Sequence, residues 1–152
     1  MKKFFIVASM ALVMILPFQV FAVAKVFSDV SETNPYYEAI SSLAENGIIQ
    51  GYPGNLFKPL ATINRVEALK ILLEAADITL STVTPQETLG FSDVVKGQWY
   101  VKYIKTAKAK RIAEGRSKTV FGVTATIKRV EALKMLLETY DYELDAPTSI
   151  LL

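Results

Sequence analysis

The chain has 152 residues, with 17 Lys and Arg against 15 Asp and Glu, and neither His nor Cys. That length allows one ordinary domain or a short array of small units. Without imidazole or thiol there is no His general base, no Cys nucleophile, no disulfide and no His- or Cys-ligated zinc. Any catalysis would run on carboxylates, Lys, Tyr or Ser.

Lys2 and Lys3 precede an apolar run of 13 residues from Phe4 to Leu16, which Pro17 breaks. Small residues then alternate through Val20, Ala22 and Ala24. This is the grammar of a secretory signal over residues 1–22, with cleavage after Ala22 or after Ala24. The rival reading is an uncleaved anchor, but a spanning helix wants ~20 predominantly apolar residues, and Pro17 and Gln19 interrupt this one. On either reading the remainder is exported. Removing Lys2 and Lys3 leaves 15 cations against 15 anions, a net charge of zero.

Beyond the signal, one unit is written twice. Phe27-Ser28-Asp29-Val30 returns 64 positions later as Phe91-Ser92-Asp93-Val94, and the stretch from Arg65 to Glu74 returns in register as Arg129 to Glu138. Across 27–74 and 91–138, 21 of 48 positions are identical without a gap, which marks an internal duplication. Repeat 1 is expected over 27–76 and repeat 2 over 91–140. A polar connection, 77–90, joins them, and a tail, 141–152, follows.

Each unit reads as helix, loop, helix. Tyr36, Ile40, Leu43 and Ala44 share a face at helical spacing, and Gly47 ends the run. Pro53-Gly54 suits the central positions of a type II turn, and Phe57 and Leu60 are expected to plug the core from the loop. Ile63, Val66, Leu69, Leu72, Leu73 and Ala76 form the stripe of the second helix. A unit of under 50 residues buries only a thin core, so the stripes of neighbouring units must pack together. The fold class is all-α.

These residues closely resemble the S-layer homology domain. The first unit carries the family pattern as Phe27 to Val30, Ala39-Ile40, Gly47-Ile48-Ile49-Gln50-Gly51-Tyr52, Gly54, Phe57, Pro59 and Ile63 to Glu67. The second carries it as Phe91 to Val94, Trp99, Gly115, Phe121 and Ile127 to Glu131. The resemblance implies tandem repeats forming part of a pseudo-threefold helical prism. It also implies a non-covalent cell-surface anchor for an anionic cell-wall polysaccharide or peptidoglycan-linked polymer, often one carrying pyruvate ketals, in grooves between repeats. It implies no cofactor, no metal and no catalysis. A third repeat at the same period would begin at position 155, beyond Leu152. Against that resemblance the expected alternatives are a truncated gene product, a fragment, or a short protein that completes its set of three with other chains. Pro35 replaces the family Trp in the first unit, Asn64 and Lys128 replace the threonine of the second helix, and Arg116-Ser117-Lys118 replaces the Tyr-Pro-Gly turn.

The candidate ligand-binding residues are Arg65, Glu67, Asp29, Tyr36 and Gly51 in the first unit, with Arg129, Glu131, Asp93, Trp99 and Gly115 in the second. Asn64 with Glu67 fits a capping box; Lys128 cannot cap with its side chain, which leaves Thr126 for the second helix. A cation in the first turn opposes the helix dipole, by ~0.3–1 kcal/mol. Arg65 and Arg129 therefore call for a carboxylate partner, such as Asp29 or Glu67, or for an external anion held by the guanidinium fork. Asp29 and Asp93 fit a turn cap or a ligand contact equally. Trp99, with its indole N–H, suits a half-exposed platform for a sugar ring; Tyr36 and Tyr100 suit the core, with Tyr36 the alternative stacking ring of its unit.

Charge separates the two copies. Repeat 1 (27–74) has three cations and six anions, net −3; repeat 2 (91–138) has eleven and four, net +7. Lys102, Lys105, Lys108, Lys110 and Arg111 crowd one helix, either as a solvated face or to steer an anion electrostatically. The first functional reading is wall attachment. The alternative is self-assembly, in which acidic and basic repeats pair between chains as a homo-oligomer or with another repeat-bearing chain. Export argues against a nucleic-acid partner, and no acidic pair offers the opposed carboxylates of a glycosidase.

Overall fold

A computed structural model describes residues 27–141; the predicted signal and the tail from position 142 lie outside the described residues. Four helices follow in order: α1 (Tyr37–Glu45), α2 (Arg65–Ala75), α3 (Val101–Ala109) and α4 (Arg129–Thr139). No strand forms among the described residues, in keeping with the all-α reading. Two isolated antiparallel bridges join Tyr52 to Leu56 and Asn64 to Thr126.

The two copies build their first halves alike. In each, the Phe-Ser-Asp-Val turn lays its Phe against the Phe of the later loop. Phe27 meets Phe57, and Phe91 meets Phe121, both with ring centroids 5.5 Å apart. α1 stops at Asn46, and Gly47 follows at φ +72°, a left-handed exit that glycine makes without steric cost. The Pro53-Gly54 turn sits in a three-residue loop: Gly54 takes φ +83°, Asn55 follows at φ +58°, and Tyr52 pairs with Leu56 through both backbone bonds.

Packing does not follow the sequence units. A small cluster joins Phe27, Val30, Ile40, Ala44 and Ile49, with Phe57 and Ile71 against it. The larger core takes Val66, Leu69 and Leu73 from α2 and joins them to Phe91, Tyr103, Ile104, Phe121 and Met135 of the other repeat. α2 thus leaves its own repeat to pack on α3 and α4. It can do so because it is apolar on two sides, with Ile71 turned to the small cluster and Leu69 and Leu73 to the large one. Leu69, fully buried, contributes ~2–3 kcal/mol by leaving water. The expectation that stripes of neighbouring units pack together therefore holds, with α2 bridging the two clusters.

Three local expectations need correction. Leu60 is 99% exposed, so only Phe57 plugs the core from the loop. The backbone turns outward there: Lys58 sits at φ +60° and its carbonyl accepts the Ala61 N–H. Tyr36, expected in the core, is 69% exposed, whereas Tyr100 is buried. The connection 77–90 is not a free polar linker. Ile78, Leu80, Val83 and Leu89 rest on the main core, and the Ser81 N–H donates to Thr106 Oγ1 at 2.8 Å.

Candidate functional site

Asp29 and Asp93 act as latches. Asp29 accepts the N–H groups of Phe57 and Lys58, each at 2.7 Å. Asp93 accepts those of Phe121, Gly122 and Val123 at 2.7–2.9 Å. Each carboxylate closes the returning loop onto the Phe-Ser-Asp-Val turn, which is the turn-forming alternative of the sequence reading. Partial burial pushes the Asp93 carboxyl up, but the Val123, Phe121 and Gly122 N–H groups together hold it below the ordinary range. Asp29 is lowered chiefly by the Phe57 N–H.

The repeated Arg-Val-Glu motif joins one repeat to the next. Arg65 Nη1 lies 2.8 Å from Glu131 Oε1, and Nη2 donates to the Glu114 carbonyl at 2.7 Å. The partner of Arg65 is thus neither Asp29 nor Glu67. Its guanidinium also lies 5.1 Å from the centre of the Phe121 ring, and only Nε lacks a partner among the described residues. Arg116, which stands where the first repeat has Tyr52, takes Glu131 from its other side, with Nη2 to Oε2 at 2.8 Å and Nε to Oε1 at 3.2 Å. The Lys128 N–H, then Arg116 and Arg65, hold the Glu131 carboxyl below its usual range.

Helix starts differ between the copies. Asn64 and Glu67 form the expected capping box, both bonds at 2.9 Å. In α4 only half of it forms, the Lys128 N–H donating to Glu131 at 2.9 Å. No side chain caps α4 among the described residues, Thr126 included. Arg129 lies exposed, and no described residue pairs with its side chain.

Between the repeats runs a groove of about 620 Å³. One wall comes from the first repeat: Gly51, Tyr52, Lys58, Glu67 and Lys70. The other comes from the start of α3: Trp99, Lys102 and Tyr103. Trp99 is 47% exposed, held edge-on by Tyr100 at 5.5 Å and Tyr103 at 5.8 Å. Its half-exposure is the one expected from the sequence. Tyr103 is anchored in turn through a short hydrogen bond to Glu74. Lys58 lies 4.4 Å over the Tyr52 ring and Lys102 lies 5.1 Å over Tyr103, so two cations are held beside aromatic faces.

The groove gathers Gly51, Glu67 and Trp99 from the sequence candidates and leaves out Asp29, Tyr36, Arg65, Asp93, Gly115, Arg129 and Glu131. Sequence reasoning missed Lys58 and Lys70. Lys70 was accessible from spacing alone, since it sits one turn beyond Glu67 on the same helical face. Gly51 and Gly115 also serve packing. A Cβ at Gly51 would stand 2.3 Å from the Phe27 ring, and one at Gly115 2.4 Å from the Ser117 carbonyl. The basic helix divides too. Lys105 pairs with Glu87 at 2.9 Å and Lys108 bonds the Leu89 carbonyl, while Lys110 and Arg111 face solvent and Lys102 turns to the groove.

The arrangement defines a class: a tandem helix-loop-helix repeat whose neighbours share a core and leave an aromatic, cationic groove between them. The model of the S-layer homology domain matches twice, over residues 26–69 and 90–133, together more than half of the chain. The chain belongs to the S-layer homology domain family, and its place is the cell surface or cell wall. It is 31% identical over 143 residues to the surface-layer 125 kDa protein of Lysinibacillus sphaericus, covering 93% of this chain and 12% of that one. It is 28% identical over 114 residues to the cellulosome-anchoring protein of Acetivibrio thermocellus, covering 72% and 25% respectively. Over 117 residues it is 28% identical to the amylopullulanase of Thermoanaerobacterium thermosulfurigenes, covering 77% and 6%. The chain thus spans a quarter or less of the curated relatives it matches.

Proposed function

We propose that the chain is a non-catalytic anchoring module that binds an anionic cell-wall glycopolymer, such as one carrying pyruvate ketals, in the groove between its repeats. The observation that carries this reading is Trp99 standing half-exposed in a groove with Lys58, Lys70 and Lys102. An indole face stacks on the apolar face of a sugar ring, and ammonium groups around it select a ring bearing carboxylate or phosphate. The relatives' names, a surface-layer protein and a cellulosome-anchoring protein, fit a shared attachment module. The amylopullulanase would then carry its catalysis outside the matched segment, which is 6% of that protein.

Arg65 is the residue whose role in this reading changes most. Its two terminal nitrogens are engaged by the protein, so it ties α2 to the second repeat and leaves them unavailable to a ligand. The lysines at the groove surface are better placed to take the acidic group. Trp99 is the single tryptophan, so its fluorescence reports on this groove alone. Titration with solubilised wall polymer should shift or quench it, and removing the acidic substituents or adding salt should weaken the response. Unchanged fluorescence, together with failure to sediment with intact sacculi, refutes the reading.

A further inference from the structure

The apolar stripe of the second helix is written twice and, among the described residues, covered once. On α2, Val66 and Leu69 are 2% and 0% exposed, because α2 packs on α3 and α4. On α4 the matching residues, Val130 and Leu133, are 69% and 52% exposed, and Leu136 extends the same face. We propose that this face docks onto the first repeat of a second copy of the chain, repeating between molecules the contact that α2 makes within one.

Three features of the chain select that occupant. The surface α4 would meet is α1, and at the positions where α3 buries Tyr100 and Tyr103, α1 exposes Tyr36 and Ala39. The charges are opposed: the docking repeat carries net +7 and the receiving one net −3, so encounter is favoured and like ends repel. The ionic link is prepared as well. Arg65 reaches Glu131 in the following repeat at 2.8 Å; by the same relation Arg129, unpaired among the described residues, reaches Glu67 of the second copy. The backbone bond from Arg65 N–H to the Ala125 carbonyl, 2.9 Å, would be repeated from Arg129 to Ala61. Such a head-to-tail contact is heterologous, so it closes into a ring or runs on as a string.

Glu67 and Ala61 also border the groove assigned to wall polymer, so association is measured without glycan. Sedimentation velocity on the full chain, from about 1 to 100 µM, should show a mass that rises with concentration and falls with salt. Arg129→Glu and Leu133→Lys should each weaken association about tenfold or more, with the helical circular dichroism unchanged. Arg129→Glu chains mixed with Glu67→Arg chains should regain an association that neither shows alone. Trp99→Ala, which removes the sugar platform, should leave association intact. A wild-type chain that stays monomeric throughout overturns the proposal. Association that both α4 variants leave unchanged overturns it as well.

Discussion

Arg65 of the first repeat and Glu131 of the second stand 2.8 Å apart, one 8% and the other 22% exposed. Both come from the same Arg-Val-Glu motif, two residues apart in sequence within each copy. Within a helix, residues two apart point to different sides and cannot pair well. The motif therefore serves a junction between the two repeats: Arg65 looks to the second repeat, while Glu131 accepts the N–H at the start of its own helix and receives the arginine of the first. Arg116 completes the arrangement by balancing the second oxygen of Glu131.

Glu131→Gln should accordingly cost much more than Glu67→Gln, although the two residues hold the same place in the repeat. Removing the Glu131 charge leaves Arg65 buried without its counterion, a loss of ~3–5 kcal/mol where one member of a buried pair is deleted. Glu67→Gln disturbs only the capping box, worth ~0.5–1 kcal/mol. Urea denaturation of the two variants should show that gap, and equal losses would mean that the Arg65–Glu131 pair contributes nothing net.

What was legible in the sequence was whatever depends on local pattern. Helix existence follows from the spacing of Ile40 with Ala44 and of Val66 with Leu69 and Leu73, and the capping box from Asn64 and Glu67. Trp99 at the lip of α3 was legible from its position beside a buried Tyr100. Less so was the register between repeats. Arg65 has carboxylates nearer in sequence, and nothing local says that Glu131 wins, because that choice is made by α2 crossing into the other core. Leu60 and Tyr36 misled for the same kind of reason: hydrophobicity says what a residue prefers, but the φ +60° turn at Lys58 and the open face of α1 decide where it goes.

Acid sensitivity should be shared by the second repeat's latch and the Arg65–Glu131 junction, whose carboxylates are both lowered in the fold. The Asp93 carboxyl is lowered in the fold relative to an unfolded value near ~3.9. A depressed carboxyl contributes stability that is fully present above the unfolded pKa and is lost as pH falls through the folded one. Thermal stability should therefore hold down to about pH 5 and drop steeply below about pH 4. Asp93→Ala should cost ~2–3 kcal/mol at neutral pH, since charged hydrogen bonds to three N–H groups are lost. It should also flatten the acid limb of the stability curve, whereas Asp29→Ala, at an exposed latch with two such bonds, should do both less. If the acid limb of Asp93→Ala keeps its slope, other carboxylates govern it.

Gly115→Ala and Gly47→Ala separate crowding from backbone strain. At Gly115 a Cβ would lie 2.4 Å from the Ser117 carbonyl and 2.6 Å from the Phe91 ring. The Phe91 ring cannot retreat, because it is packed in the core, so a loss of ~2–3 kcal/mol or more is expected. Gly47 has open space around it but sits at φ +72°, so its substitution should cost only ~1 kcal/mol. Thermal melts of the pair, matched at the same pH, decide whether the turn after α3 is held by packing to the degree described.

Leu69→Ala and Leu133→Ala make the most direct comparison, because sequence, helix position and chemistry are the same. Leu69 is fully buried and Leu133 is 52% exposed. In dilute solution, where chains are separate, Leu69→Ala should cost ~3–4 kcal/mol and Leu133→Ala under about 1 kcal/mol. As concentration rises, the wild type should gain thermal stability through mass action on the docked state. The Leu133→Ala variant should gain less, since its lost methyl groups belong to the docked contact. Leu69→Ala should gain as much as wild type, its defect being internal to one chain. Melting temperatures across a concentration series therefore read the covered stripe and the uncovered one in a single experiment, and identical slopes for all three chains would place no partner on α4.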